Sequence, residues 1–323
     1  MSEPSLTPSL APSLIPSLTS AEITTQPACW RRAAETAAAA AAAGTTGLPH
    51  PGERVAVTGC GTSWFMAQAY AALREASGQG ETDAFPASEF PVMRTYDRLV
   101  VITRSGTTTE ALDLIEEVRE RWEVFALTAD PASPVVRGAD GTAVLDWADE
   151  ESVVQTRFAT TALAYLRAGL EASGALPAGV KGMAEAEADA EAALKDPLPA
   201  EVLAAGQWTF LGAGWAYGLA QEAALKMREA AGAWTEAYPA MEYRHGPIAI
   251  TAPGRVAWLL GSAPAGLETD ISRTGGTLVA DGARLDPMAD LIRAQRLAVA
   301  VAQSRGLNPD TPKNLTRSVI LNA

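Results

Sequence analysis

Cysteine and histidine are scarce, with two of each in 323 residues. Cys29 and Cys60 are too few for a disulfide framework, and they suit a reducing cytosol where buried thiols act as small packing residues. Without clustered cysteines or histidines there is no convincing zinc site, and no metal or organic cofactor is implied. No run of about eighteen apolar residues occurs, so a membrane span is not expected. Positive charge is also short: 25 Lys and Arg stand against 38 Asp and Glu, a net charge of −13. Such a chain repels a polyanion overall, so nucleic acid is not an expected partner. A phosphate on a small ligand would have to be held by local geometry: backbone amides, hydroxyls and a helix N-terminus. A cytoplasmic location is expected.

What is present begins with PSLTPSLAPSLIPSLT, a four-residue repeat whose prolines forbid a regular helix. It has no basic region before it and makes a poor secretory signal. Residues 1–25 are therefore expected to be a disordered tail with no chemistry assigned. An alanine-rich helix is expected from Thr25 to about Gly44. Strand-like runs then alternate with helical spacing: RVAVTG from Arg54, RLVVITRS from Arg98, VFALTA from Val124 and AVLDW from Ala143. Residues 174–200 read as a linker whose acidic helix MAEAEADAEAALK is solvated. The pattern restarts with WTFLGAG from Trp208, RVAWLLG from Arg255 and TLVA from Thr277, and a long helix follows from Pro287. Buried strands separated by helices predict an α/β protein with doubly wound parallel sheets. Both halves open as strand, glycine-rich turn, helix, which suggests duplication of one unit. The expected domains are 26–173 and 201–323.

Four segments could carry chemistry. In TGCGTS, Gly61, Thr62 and Ser63 lie where a strand gives way to a helix, and glycine there lets a ligand approach the backbone. A purely structural turn would look similar. TRSGTTTE, from Thr103 to Glu110, packs five hydroxyls and Arg104 around a helix start. Ser105 or Thr107 could serve as N-cap, but one cap does not need so many hydroxyls. Both segments end adjacent strands, where open α/β sheets bind ligands, so a phosphate cradle is favoured. Glu222, Lys226 and Glu229 share one helical face, either as a surface ion-pair ladder or as a functional cluster. His245 sits in the turn EYRHGP, and a lone histidine is more often structural than catalytic.

CGTS, TRSGTTTE, QEAALKMREAAG, TEAYPAMEYRHGP and PKNLTRSV, in this order, resemble motifs of the sugar isomerase (SIS) domains. The likeness is to the isomerase half of glucosamine-6-phosphate synthase and runs from about Arg54 to the C-terminus. It implies that Ser63, Thr103, Arg104, Ser105 and Thr108 hold a sugar phosphate, with Gly61 and Thr62 beside them. Val153 and Gln155 match a loop that contacts the sugar. Glu229 matches the carboxylate that moves a proton between the first two carbons, and Glu222 and Lys226 match neighbours on its helix. His245 matches a ring-opening histidine contributed across a homodimer interface. Three departures stand out. No glutaminase domain or N-terminal cysteine nucleophile is present, so glutamine-dependent amination is not expected. Arg317 replaces the family's imine-forming lysine, and an arginine stays protonated. Arg104 stands where the synthase has a neutral amide.

The resemblance thus implies a hexosamine 6-phosphate ligand, either glucosamine or N-acetylglucosamine 6-phosphate. His245 would help open the ring, Glu229 would take the C2 proton, and Arg317 would steady the resulting enediol or enolamine. Isomerisation, deamination and elimination of the C3 hydroxyl all remain open after that step. A non-catalytic phosphosugar sensor and a deglycase of a glycated amine are the alternative readings.

Overall fold

Two all-parallel sheets organise the computed structural model, which describes residues 16–44, 47–281 and 284–321. The first sheet contains β1 (Val55–Gly59), β2 (Thr82–Pro86), β3 (Arg98–Ile102), β4 (Glu123–Thr128) and β5 (Gly141–Val144). Its spatial order is β2-β1-β3-β4-β5. The second contains β6 (Gln207–Gly212), β7 (Thr235–Pro239), β8 (Arg255–Leu260) and β9 (Thr277–Ala280), ordered β7-β6-β8-β9. In each sheet the chain steps outward once and then returns to the other side of its first strand. The reversals lie between β1 and β3 and between β6 and β8, which supports the duplication suggested by the sequence. Every residue of β1 and β3 is buried. Strands covered on both faces read as continuous apolar runs, which is why these two were visible in the sequence.

The helices are α1 (Leu18–Thr24), α2 (Gln26–Ala43), α3 (Thr62–Ala76), α4 (Thr109–Val118), α5 (Pro134–Gly138) and α6 (Arg157–Ala172). They continue as α7 (Met183–Lys195), α8 (Ala200–Leu203), α9 (Ala216–Ala231), α10 (Leu267–Arg273) and α11 (Pro287–Ser304). One apolar core runs through both sheets, joining Val57, Ile102 and Phe125 to Trp208, Phe210 and Trp258. At its centre α3 lies directly on α9. A Cβ on Gly218 would collide with the Phe65 carbonyl and stand 2.9 Å from Ala69 N.

Two expectations are corrected. The stretch 1–25 is not uniformly tail-like, because Leu18–Thr24 is helical; residues 1–15 lie outside the described residues. The proline repeat stops at Pro16, and Ser17 caps the helix through Ser20 N. The Asp310 carboxylate also accepts from Leu18 N at 3.0 Å and Thr19 N at 2.8 Å. Secondly, α7 is not simply solvated. Met183, Ala186, Ala190 and Ala193 are buried at helical spacing, and this stripe packs against α2 and α11.

Candidate functional site

The site forms at the carboxyl ends of β1 and β3, where the strand order reverses and open α/β sheets bind ligands. Two turns converge there. The first carries Gly61 at φ 54, a left-handed value that glycine adopts without strain, and α3 starts immediately after it. At Gly59 a Cβ would stand 2.5 Å from Ser63 Cβ and 2.9 Å from the Ile102 carbonyl, so only glycine lets the turn lie against β3.

In the second turn the hydroxyls face one another. Ser105 Oγ accepts from Thr107 N at 3.2 Å and from Thr107 Oγ1 at 2.9 Å. Neither Ser105 nor Thr107 is the N-cap of α4. That position falls to Thr108, whose side chain makes no capping bond. The hydroxyls are instead shared with Ser318 from the C-terminal strap. Its Oγ lies 3.1 Å from Ser105 Oγ, 3.1 Å from Thr107 Oγ1 and 3.4 Å from Thr108 Oγ1.

These turns border a cavity of about 210 Å³. Gly61, Thr62, Ser63, Thr103, Arg104, Ser105, Thr108, Val153, Gln155, Glu229 and Arg317 all line it. The sequence reading missed Leu315, Thr316, Ser318 and Val319, which line it as well. Their signal lay in PKNLTRSV, of which only the arginine was given a role. Cys60 also borders the cavity, and burial first, then Glu110, pushes its thiol up to about 11.

The α9 triad is not a surface ladder. Glu222 and Lys226 are buried, and Lys226 Nζ lies 3.3 Å from Glu222 Oε1 and 2.5 Å from Glu229 Oε2. Lys226 also donates to Thr62 Oγ1 and to the Gln155 carbonyl, each at 3.0 Å. One ammonium thus ties α9 to the first turn and to the Val153–Gln155 segment. Burial pushes Glu222 up to about 8, with Lys226 opposing the shift and Glu229 adding to it. Burial alone would lower Lys226, but the Glu222 and Glu229 carboxylates outweigh it and hold the ammonium above its ordinary range. Among the three, only Glu229 borders the cavity; the other two support it from beneath.

Both arginines are committed to the protein. The Arg104 side chain is buried, donates to Ser152 O at 3.2 Å and Arg317 O at 3.1 Å, and lies 3.7 Å from the Glu150 carboxylate. Arg317 pairs with Asp149 at 2.5 Å and donates to the Glu150 carbonyl. His245 ends the 3₁₀ turn Glu242–His245 after β7 and does not border this cavity. Among the described residues no group of three or more His, Cys, Asp or Glu side chains is placed to hold a metal, and no helix is long and apolar enough to cross a membrane.

No family model matches the chain. It is 27% identical over 323 residues to the isomerizing glutamine–fructose-6-phosphate aminotransferase of Nostoc sp., covering 83% of this chain and 52% of that protein. The enzyme of the same name from Aeropyrum pernix is 30% identical over 269 residues, covering 68% of this chain and 43% of that one. The crystal structure of glucosamine-6-phosphate deaminase from Thermotoga maritima superposes with a TM-score of 0.79 at 23% identity, covering 94% of this chain and 100% of that one. The chain belongs to the sugar isomerase (SIS) family. It spans about half the length of the curated relatives it matches.

The two SIS units are not equivalent. At the ends of β6 and β8 the corresponding crevice is lined by Ala213, Trp215, Ala216, Leu260 and Gly261, and Ser262 brings the one hydroxyl among its lining residues. The first unit carries the cradle. The second supplies α9 and Glu229.

Proposed function

We propose that this SIS protein binds a phosphorylated amino sugar and moves the C2 proton of its ring-opened form. The reading rests on one observation: the hydroxyl-rich turns and the Glu229 carboxylate share a cavity, and Lys226 fixes that carboxylate's orientation. The phosphate would take the place between Ser63, Thr103, Ser105 and Thr108, receiving hydroxyl and amide donors near the starts of α3 and α4. This leaves the C1–C2 end of the sugar for Glu229. A carbonyl at C1 acidifies the C2 hydrogen; Glu229 takes that proton, the C–H electron pair forms the C1–C2 double bond of an enolamine, and the carbonyl pair moves onto the C1 oxygen. Returning the proton to C1 yields the C2 imine, and water hydrolyses it to the ketose and ammonia, the deaminase outcome. Expulsion of the C3 hydroxyl from the enolamine as water would be the dehydratase outcome.

Arg104 serves this scheme first by holding the walls, since its guanidinium donates to the Ser152 and Arg317 carbonyls and pairs with Glu150 at 3.7 Å; its charge also borders the cavity that would take the phosphate. His245 does not border its own chain's cavity, so for it to open the sugar ring it would have to come from a partner chain in a homodimer.

The test is proton NMR in deuterated buffer with glucosamine 6-phosphate and N-acetylglucosamine 6-phosphate. Loss of the C2 proton signal is expected with wild type, and a drop of about 100-fold or more with Glu229→Gln. The product names the outcome: a ketose with released ammonia for deamination, or an unsaturated sugar for dehydration. Binding without exchange would replace catalysis with sensing. Neither binding nor exchange would remove the hexosamine assignment.

A further inference from the structure

We infer that Glu22, on α1, is a positioning residue that sets the sugar-facing loop Asp149–Gln155 through direct hydrogen bonds. The inference deepens the proposed function and rests on reading the cavity as a phosphosugar site. Glu22 is 5% exposed, and its carboxylate points away from its own helix into that loop. Oε1 accepts from Glu151 N at 2.6 Å and from Ser152 N at 3.3 Å, and Oε2 accepts from the Ser152 hydroxyl. The next residue, Val153, borders the cavity, as does Gln155, whose carbonyl receives Lys226.

The loop is held by individual bonds, and Glu22 supplies those at its centre. From Asp149 to Thr156 the chain is neither strand nor helix, so no regular ladder of backbone bonds fixes it. Separate ties do so instead, beginning at its ends with Arg317 on Asp149 and the Glu150 carbonyl and Lys226 on the Gln155 carbonyl. Glu22 takes two successive amides; Arg104 takes the Ser152 carbonyl; the Asp310 carbonyl accepts from Val153 N at 3.1 Å. At the far end, the buried Glu150 carboxylate accepts from Thr156 N at 2.6 Å and Arg157 N at 2.8 Å. Asp310 also anchors α1 itself, through Thr19 N and Thr19 Oγ1 at 2.7 Å. A chain of bonds therefore runs from α1 through Glu22 to the wall of the cavity. Removing the carboxylate leaves the buried Ser152 amide and hydroxyl unsatisfied, and the loop must shift to find water or another partner. A shift of about 1 Å at a wall that meets substrate costs on the order of tenfold to a hundredfold in turnover or affinity.

The experiment compares wild type with Glu22→Ala, Glu22→Gln and Thr19→Val. The last loosens α1 at Asp310 and leaves the loop bonds intact. Two readouts are used: backbone amide exchange over residues 149–156, and KM and kcat for glucosamine 6-phosphate or N-acetylglucosamine 6-phosphate. Faster exchange and a KM at least about tenfold higher are expected for Glu22→Ala, with kcat changed less. Glu22→Gln keeps one acceptor and should fall between; Thr19→Val, which leaves the Glu22 bonds in place, should have the smallest effect of the three. If Glu22→Ala does not fold, Glu22→Gln and Ser152→Ala are combined, and non-additive effects on KM are expected. Unchanged exchange and KM in folded variants overturn the inference, as does an equal effect of Thr19→Val. Should wild type neither bind nor convert either sugar, the proposed function fails. The exchange readout then still decides whether Glu22 holds the loop.

Discussion

Lys226 and Glu222 are buried together beneath Glu229, which borders the cavity, and that burial has a measurable signature. Burial raises the Glu222 carboxyl to about 8, whereas an unfolded chain titrates it at about 4.3. The folded state therefore binds a proton that the unfolded state releases over this interval. Its stabilising contribution is complete below the unfolded value and is lost as pH rises towards about 8. Glu222→Gln mimics the protonated form and removes the effect. The stability difference, variant minus wild type, should grow in the variant's favour between pH 5 and pH 8, approaching about 1.4 kcal/mol per pH unit at its steepest. Urea unfolding of both proteins at pH 5, 6, 7 and 8 measures it. A constant difference would mean that Glu222 is ionised throughout. The helical spacing of Glu222, Lys226 and Glu229 was legible in the sequence, but burial was not. Whether such a triad is a surface ladder or a buried cluster depends on which face α3 covers.

At the scale of elements, α3 and α9 form the seam that brings the two halves of the site together. Thr62 at the start of α3 accepts from Lys226 on α9, and Gly218 lies one turn before Glu222. Alanine is the better helix former by about 1 kcal/mol, so propensity alone favours Gly218→Ala. Contact decides otherwise, because the added methyl meets the Phe65 backbone carbonyl and Ala69 N rather than a yielding side chain. A net destabilisation of about 1–3 kcal/mol is expected, together with reduced sugar turnover as the helices part. Denaturant midpoints with the C2 exchange assay test both.

The strands show what a sequence conveys and what it withholds. β3 and β8 were readable as apolar runs because both faces are covered. β2 and β7 were missed: TDAFP and TEAYP carry no such run, each ends in proline, and each pairs only with the first strand of its sheet. Backbone hydrogen bonding at a sheet edge selects them, and side-chain pattern does not report it. The cradle turns were legible because their chemistry is local. Ser318, Asp149 and Glu22 were not, since their roles arise from contacts between residues 129 to 213 positions apart.

Across the whole molecule, one buried core runs through both sheets, so the two SIS units are expected to unfold together, and a buried ion pair fastens the same junction. Arg167 on α6 binds Asp286 through two bonds, of 3.0 Å and 2.7 Å, with both side chains almost fully buried. Asp286 is also the N-cap of α11, accepting from Met288 N at 2.9 Å. Asp286→Ala would strand the Arg167 guanidinium without its counter-charge, at a cost of about 3–5 kcal/mol, and lost capping adds about 1 kcal/mol. For a chain of this size that corresponds to a fall on the order of 10 °C in Tm. Adding Arg167→Met should recover part of it, because the penalty comes mainly from the stranded charge. Calorimetry should show one transition in wild type and variant alike, with equal calorimetric and van't Hoff enthalpies. Two separated transitions would mean that the units fold independently. The site, which draws its cradle from one unit and its carboxylate from the other, would then depend on a docking equilibrium rather than on a single fold.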